Sequence, residues 1–144
     1  MEFILVESPV ITKFPTSSEE EWTNFRYFGL RSASAYILIY DVTFPTSFQF
    51  IQSLREQISL SRNLGDTPII VAANKSDLCK DTSKQDVATT VRKSWHASYV
   101  ECSAKHNWNI TSMFKEVARE VINKKDNVTR DREEEQQQCC RLFR

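Results

Sequence analysis

Two short runs that are apolar nearly throughout, Tyr36 to Tyr40 (YILIY) and Ile69 to Ala73 (IIVAA), limit what this chain can fold into. A strand with one wet face alternates apolar and polar residues, whereas a continuous apolar run suits a strand covered on both faces of a parallel sheet. Phe3 to Val6 (FILV) and Ser98 to Cys102 (SYVEC) read as two further strands. Helical spacing fills the intervals. Thr46 to Asn63 sets Phe48, Ile51, Leu54 and Ile58 on one stripe; Lys84 to Trp95 does the same with Val87, Val91 and Trp95. Asn109 to Asn123 aligns Ile110, Met113, Phe114, Val117, Ala118 and Val121, with Lys115, Glu116, Arg119 and Glu120 opposite. A weaker helix, Glu19 to Phe28, carries Trp22, Phe25 and Phe28, with Glu19, Glu20 and Glu21 where the helix dipole favours acid. Strand and helix in turn imply right-handed crossovers and an α/β fold, a mostly parallel sheet with flanking helices. Ligands of such sheets sit beyond the carboxyl ends of the strands, which directs attention to the loops after Ala73 and Cys102.

Composition narrows the function classes. The 144 residues suit one domain, and 19 basic against 19 acidic residues leave no electrostatic footprint for nucleic acid. No apolar run approaches the roughly 18 residues of a spanning helix, and Met1-Glu2-Phe3 lacks the basic start of a secretion signal, so a cytoplasmic setting is expected. Cys79, Cys102, Cys139 and Cys140 are too few and too uneven for a disulfide framework, and no zinc spacing is present. His96 and His106 read as surface or loop residues. The chain has 2 glycines, Gly29 and Gly65, too far apart for a glycine-rich phosphate loop.

Two polar motifs stand where the fold predicts a ligand. Asn74-Lys75-Ser76-Asp77 follows the third predicted strand, and Glu101-Cys102-Ser103-Ala104-Lys105 surrounds the end of the fourth. A carboxylate at Asp77 suits a purine that offers a ring N–H beside an exocyclic amino group, since it accepts both in a bidentate, charge-assisted pair. Adenine offers no such pair, and a polar group left unpaired gives strong discrimination. Taken alone, Asn74, Lys75 and Asp77 also fit a polar turn after a strand.

In order, spacing and placement the two motifs resemble the guanine-base motifs N-K-x-D and [E/T]-[C/T]-S-A-K of Ras-like small GTPases. LRSASAYILIYD, TPIIVAANKSDL and YVECSAKHNWNI are similar to the divergent Ras-like family member ten subgroup, and the resemblance runs from Phe3 to about Lys124. It implies GTP or GDP as ligand, with Asn74 tying the base loops together and Lys75 laying its stem along base and sugar. It further implies that Ser103 supports Asp77, the Ala104 N–H meets the guanine carbonyl oxygen, and Lys105 covers the base face.

Against that family the chain begins at what looks like strand three. The expected fold is thus a P-loop-NTPase-like small GTPase fold lacking the first two strands and first helix, with the phosphate loop, switch I and its Mg²⁺-binding threonine absent. Mg²⁺ is expected only in a complete form. The family's D-x-x-G-Q element aligns with Glu7-Ser8-Pro9-Val10-Ile11, where Ile11 stands at the water-orienting position and cannot orient water. No catalytic residue and no metal ligand is therefore assigned. Phe3 to Val6 is expected either to pair with Tyr36 to Tyr40 or to leave open edges that favour association.

Residues 1–124 are expected to form the partial GTPase domain. Residues 125–144 (KDNVTRDREEEQQQCCRLFR) have too little apolar content for a core and are expected as a disordered or frayed helical tail. Prenylation requires cysteine fourth from the end, which is Arg141; Cys139 and Cys140 are the candidates for lipidation, giving peripheral contact with the cytoplasmic face of the plasma membrane. The alternative to a nucleotide-binding protein is a nucleotide-independent interaction module that uses the aromatic helix around Trp22, Phe25, Tyr27 and Phe28. Effectors and regulators are not identified by the sequence.

Overall fold

The two apolar runs become neighbouring parallel strands. The computed structural model describes residues 4–8, 10–24, 27, 29–62, 65, 67–78 and 83–142; the side chains of residues 83 and 128–142 fall outside that description. Strand β1 (Tyr36–Asp41) pairs with β2 (Ile69–Asn74), and β2 with β3 (Ser98–Glu101), in the order β1-β2-β3. Both pairs are parallel, and the strands of such sheets are ordinarily covered on both faces. Helix α1 (Ser18–Thr23) precedes β1, α2 (Pro45–Ser61) joins β1 to β2, and α3 (Ser83–Thr89) leads through a π turn (Thr90–Ser94) to β3. Helix α4 (Ile110–Leu142) follows β3.

Alternation along the strands sorts the side chains into two cores. Tyr36, Leu38 and Tyr40 of β1, Ile69, Val71 and Ala73 of β2, and Tyr99 of β3 pack with Ile51 and Ile58 of α2, Ala88 of α3 and Val91. Ile70, Ala72 and Cys102 meet Met113 of α4 on the opposite face, with Ile37, Val100, Ile110 and Val117 at the margin. The sheet is thus a middle layer between α2 and α3 on one side and α4 on the other. Ile11 and Phe14 close the first core from the N-terminal segment, where the Phe14 N–H donates to Gln57 Oε1 at 2.8 Å.

Local chemistry explains the element ends. Ser17 caps α1 by accepting from the Glu20 N–H, while Glu20 reaches back to the Thr16 N–H at 2.8 Å. That reciprocal arrangement satisfies donors that a helix start leaves open. Pro45 begins α2 at a position where its missing N–H costs nothing. In the π turn the Trp95 N–H reaches the Thr90 carbonyl, five residues back, at 3.2 Å. Val91 stays fully buried there, and Trp95 stacks on Phe48 with centroids 5.6 Å apart.

Three expectations are corrected. Residues 4–6 belong to no strand and Ile4, Leu5 and Val6 are exposed, so the run at Phe3 to Val6 does not extend the sheet; Phe3 itself lies outside the described residues. The weak helix predicted to reach Phe28 ends at Thr23, and Phe25 and Phe28 also lie outside the described residues. The helix predicted at Lys84 to Trp95 is α-helical only to Thr89. Beyond residue 124 the backbone of α4 continues without a break to Leu142. Lys, Glu, Gln and Arg are good helix formers, and adding a residue to an existing helix is far easier than nucleating one.

Candidate functional site

The parallel crossover brings both polar motifs to the same end of the sheet. Asn74 closes β2, and Asp41, the last residue of β1, is its register partner. Cys102 follows β3, its N–H donating to the Ala73 carbonyl at 2.9 Å, so the Ser103 loop emerges beside the Asn74 loop. Two further bonds join them: the Ser76 N–H to the Cys102 carbonyl at 3.1 Å, and the Ala104 N–H to Asn74 Oδ1, also at 3.1 Å.

Asp77 lies against the second loop. A hydrogen bond from Ser103 holds its carboxyl below the ordinary aspartate range, more than the opposing effect of burial, with the charges of His106 and Lys105 acting the same way. His106 Nε2 stands 3.5 Å from Asp77 Oδ2. Ser103 is buried, its Oγ accepting from the His106 N–H, while its own N–H and carbonyl pair with Trp108 in a small bridge. The loop bends through Asn107 and Asn109 at φ 52° and 57°, values asparagine tolerates better than most residues. Asn109 Nδ2 then ties the loop to the Glu101 carbonyl at 2.9 Å.

Lys75 adopts φ 62°, an uncommon conformation for a side chain of its size. The Leu78 N–H closes a turn onto its carbonyl, and its ammonium pairs with Asp41 Oδ2 at 2.5 Å. Hydrogen bonds from Lys75 and from the Thr43 hydroxyl and N–H pull the Asp41 pKa down to about 2. Lys105 is exposed.

The predicted site residues Asn74, Lys75, Asp77, Ser103, Ala104 and Lys105 therefore share one end of the sheet. The Ala104 N–H, which the resemblance aims at a base carbonyl, donates here to Asn74, and the Lys75 ammonium pairs with Asp41. Asp41, Lys84 and His106 also belong to this region, outside the predicted site residues. Asp41 ends a strand whose parallel register with Asn74 only the fold reveals. Lys84 is a buried lysine, and a single lysine in a helical pattern carries no signal of burial.

Ile11, at the position aligned with a water-orienting glutamine, is buried in the first core, while Glu7 and Val10 are exposed and Pro9 lies outside the described residues. Among the described residues no group of three or more His, Cys, Asp or Glu side chains converges as a set of metal ligands. A separate cleft of about 590 Å³, lined by Arg92, residues 96–100 and Glu116, shares no lining residue with the two loops. Cys102 is a free thiol whose pKa burial pushes up; Cys79 and the side chains of Cys139 and Cys140 lie outside the described residues. Among the described residues no helix is long and apolar enough to cross a membrane.

The sequence pattern of the Ras family matches residues 10–123, most of the chain. The chain belongs to the Ras family. This Ras-family chain is 40% identical over 121 residues to human Ras-like protein family member 10B, an alignment covering 81% of the chain and 60% of that protein. It is 37% identical over 106 residues to mouse Ras-like protein family member 10A, covering 71% of the chain and 52% of the relative. With human Ras-like protein family member 10A the identity is 36% over 104 residues, or 69% and 51% of the two chains. The Ras-family chain thus spans between half and about three fifths of the length of the curated relatives it matches.

Proposed function

We propose that the chain is the guanine-recognition half of a Ras-like GTP-binding protein, taking GTP or GDP through Asp77, Asn74 and Lys75 with Ser103, Ala104 and Lys105. The observation that carries this reading is the bond between Asn74 Oδ1 and the Ala104 N–H, which joins the two motifs across 30 residues of sequence. Asp77 supplies the discrimination. Its carboxylate, kept ionised with the help of Ser103, accepts from the ring N–H and the exocyclic amino group of guanine. On entry the base carbonyl shares or displaces the contact between Asn74 and the Ala104 N–H. His106 has to release the Asp77 oxygen that it faces.

The proposed activity is binding rather than hydrolysis, because Ile11 is apolar and buried and offers no hydrogen bond to an attacking water. Titration with fluorescent GDP, with ADP and Asp77→Asn as controls, tests the proposal. Saturable binding is expected for GDP, with at least about tenfold weaker binding to ADP and to the Asp77→Asn variant, equivalent to the loss of about 1.4 kcal/mol. Equal affinity for GDP and ADP would remove guanine recognition by Asp77, and no saturation into the high micromolar range would remove nucleotide binding and leave the protein-interaction module. Contact with a membrane is proposed only through S-acylation of Cys139 and Cys140, which thiol-exchange labelling of the cellular protein reads directly.

A further inference from the structure

We propose that Lys84 is the positioning residue that aims Asp77, and so sets how well the site separates a base carrying a 2-amino group from one without it. Lys84 belongs to α3, outside both motifs, yet its side chain is nine-tenths buried beneath them. Its Nζ donates to the Ser76 carbonyl at 3.1 Å. That carbonyl belongs to the peptide unit whose nitrogen is Asp77's, so the bond fixes the plane from which the Asp77 side chain departs.

The same ammonium stands 3.8 Å from Glu101 Oε2. Glu101 immediately precedes Cys102, whose carbonyl holds the Ser76 N–H, and its own carbonyl holds Asn109. Ser76 Oγ donates to the Ala73 carbonyl at 2.9 Å. One buried cation thus sits at the junction of the two base loops, and Ser76 is bonded on its N–H, its carbonyl and its hydroxyl. An ammonium is otherwise costly to bury, which makes its removal informative: Lys84→Met, one atom shorter and close in volume, leaves the Ser76 carbonyl without its donor. The peptide then has freedom to rotate, and a bidentate contact suffers more from misaiming than a single hydrogen bond does.

This inference rests on the guanine-binding reading, and the experiment separates the two. Fluorescent GDP and fluorescent inosine diphosphate, which lacks the 2-amino group, are titrated into the full chain and into Lys84→Met and Lys84→Arg. Amide hydrogen exchange at Ser76 and Ala104 is followed without nucleotide. The wild type is expected to prefer GDP. Lys84→Met is expected to lose about tenfold in GDP affinity and less than about threefold in inosine diphosphate affinity, corresponding to about 1.4 and under about 0.7 kcal/mol. Lys84→Arg is expected to restore part of the preference. If Lys84→Met only lowers the folded fraction, both affinities fall together and their ratio is unchanged, which overturns the inference while leaving guanine binding intact. If the wild type binds neither nucleotide, the guanine reading fails and selectivity by Lys84 fails with it. Exchange then still decides the structural part: faster exchange in Lys84→Met upholds Lys84 as the clamp between the loops, and unchanged exchange removes that role too.

Discussion

Asp41 shows how a single carboxylate acquires work that its place at the end of a strand does not announce. It faces Lys75 at 2.5 Å and accepts from the Thr43 hydroxyl at 2.6 Å, and these bonds bring its pKa down to about 2. An unfolded aspartate titrates near 3.9, so the folded state binds its proton less readily than the unfolded state. The resulting stabilisation is complete well above pH 4 and is lost as pH falls through 4 toward 2. Asp41→Asn removes it. The variant is expected to have a lower urea midpoint than wild type at neutral pH and a shallower decline between pH 5 and 2, so that the curves converge at the acid end. The side chain is about a quarter exposed, and solvent screening keeps the difference modest. Parallel curves over the whole range would show that the pair with Lys75 contributes nothing.

Helices and strands differ in how openly they declare themselves. The stripe Phe48, Ile51, Leu54 and Ile58 identifies the buried face of α2, and Ile51 and Ile58 are indeed almost fully covered while Leu60 is 87% exposed. Ile58→Ala is therefore expected to cost about 2–5 kcal/mol, the range for an isoleucine removed from a packed core. Leu60→Ala should stay within about 0.5 kcal/mol, as surface changes do. Chemical denaturation of both variants checks the assignment, and equal losses would mean that the helix packs on another face. The run FILV carries the same β-branched signal as YILIY, yet its residues 4–6 stand free of the sheet. Pattern reports that a segment would suit a pleated surface; it does not supply the neighbour. For the base loops, Asn74, Asp77 and Ser103 were legible because their contacts lie within and between two motifs of fixed spacing. Lys84 and Asp41 were not, because each reaches the site only after α3 folds back or β1 takes its parallel register. The π turn leaves no signal in the sequence for a similar reason. Its widening lets Val91 stay buried while Trp95 meets Phe48, a tertiary fit that a 3.6-residue period does not encode.

The assembled sheet leaves one edge with consequences for the whole chain. Tyr36 and Val42 donate their N–H groups toward β2, to Pro68 at 3.0 Å and Asn74 at 3.1 Å. Alternation then turns the backbone groups of Ile37 and Ile39 to the opposite side. At the end of that row the Ser47 hydroxyl engages both the N–H and the carbonyl of Asp41, closing the edge there. Among the described residues no strand lies beyond Ile37 and Ile39, and Ile39 is 56% exposed. The run YILI has no charge, proline or bulge to discourage pairing, which is the profile of an edge that joins other edges. The chain is therefore expected to sediment as a growing fraction of dimers and larger species as concentration rises from low to high micromolar. Ile39→Lys places a charge on that edge at a position exposed enough to accept it, and is expected to hold the chain monomeric while leaving the monomer's circular dichroism spectrum unchanged. Sedimentation velocity on both proteins decides the matter. A wild type that remains a single monomeric species across the range would mean that the edge is closed in solution, and association that persists unchanged in Ile39→Lys would move its cause to another surface.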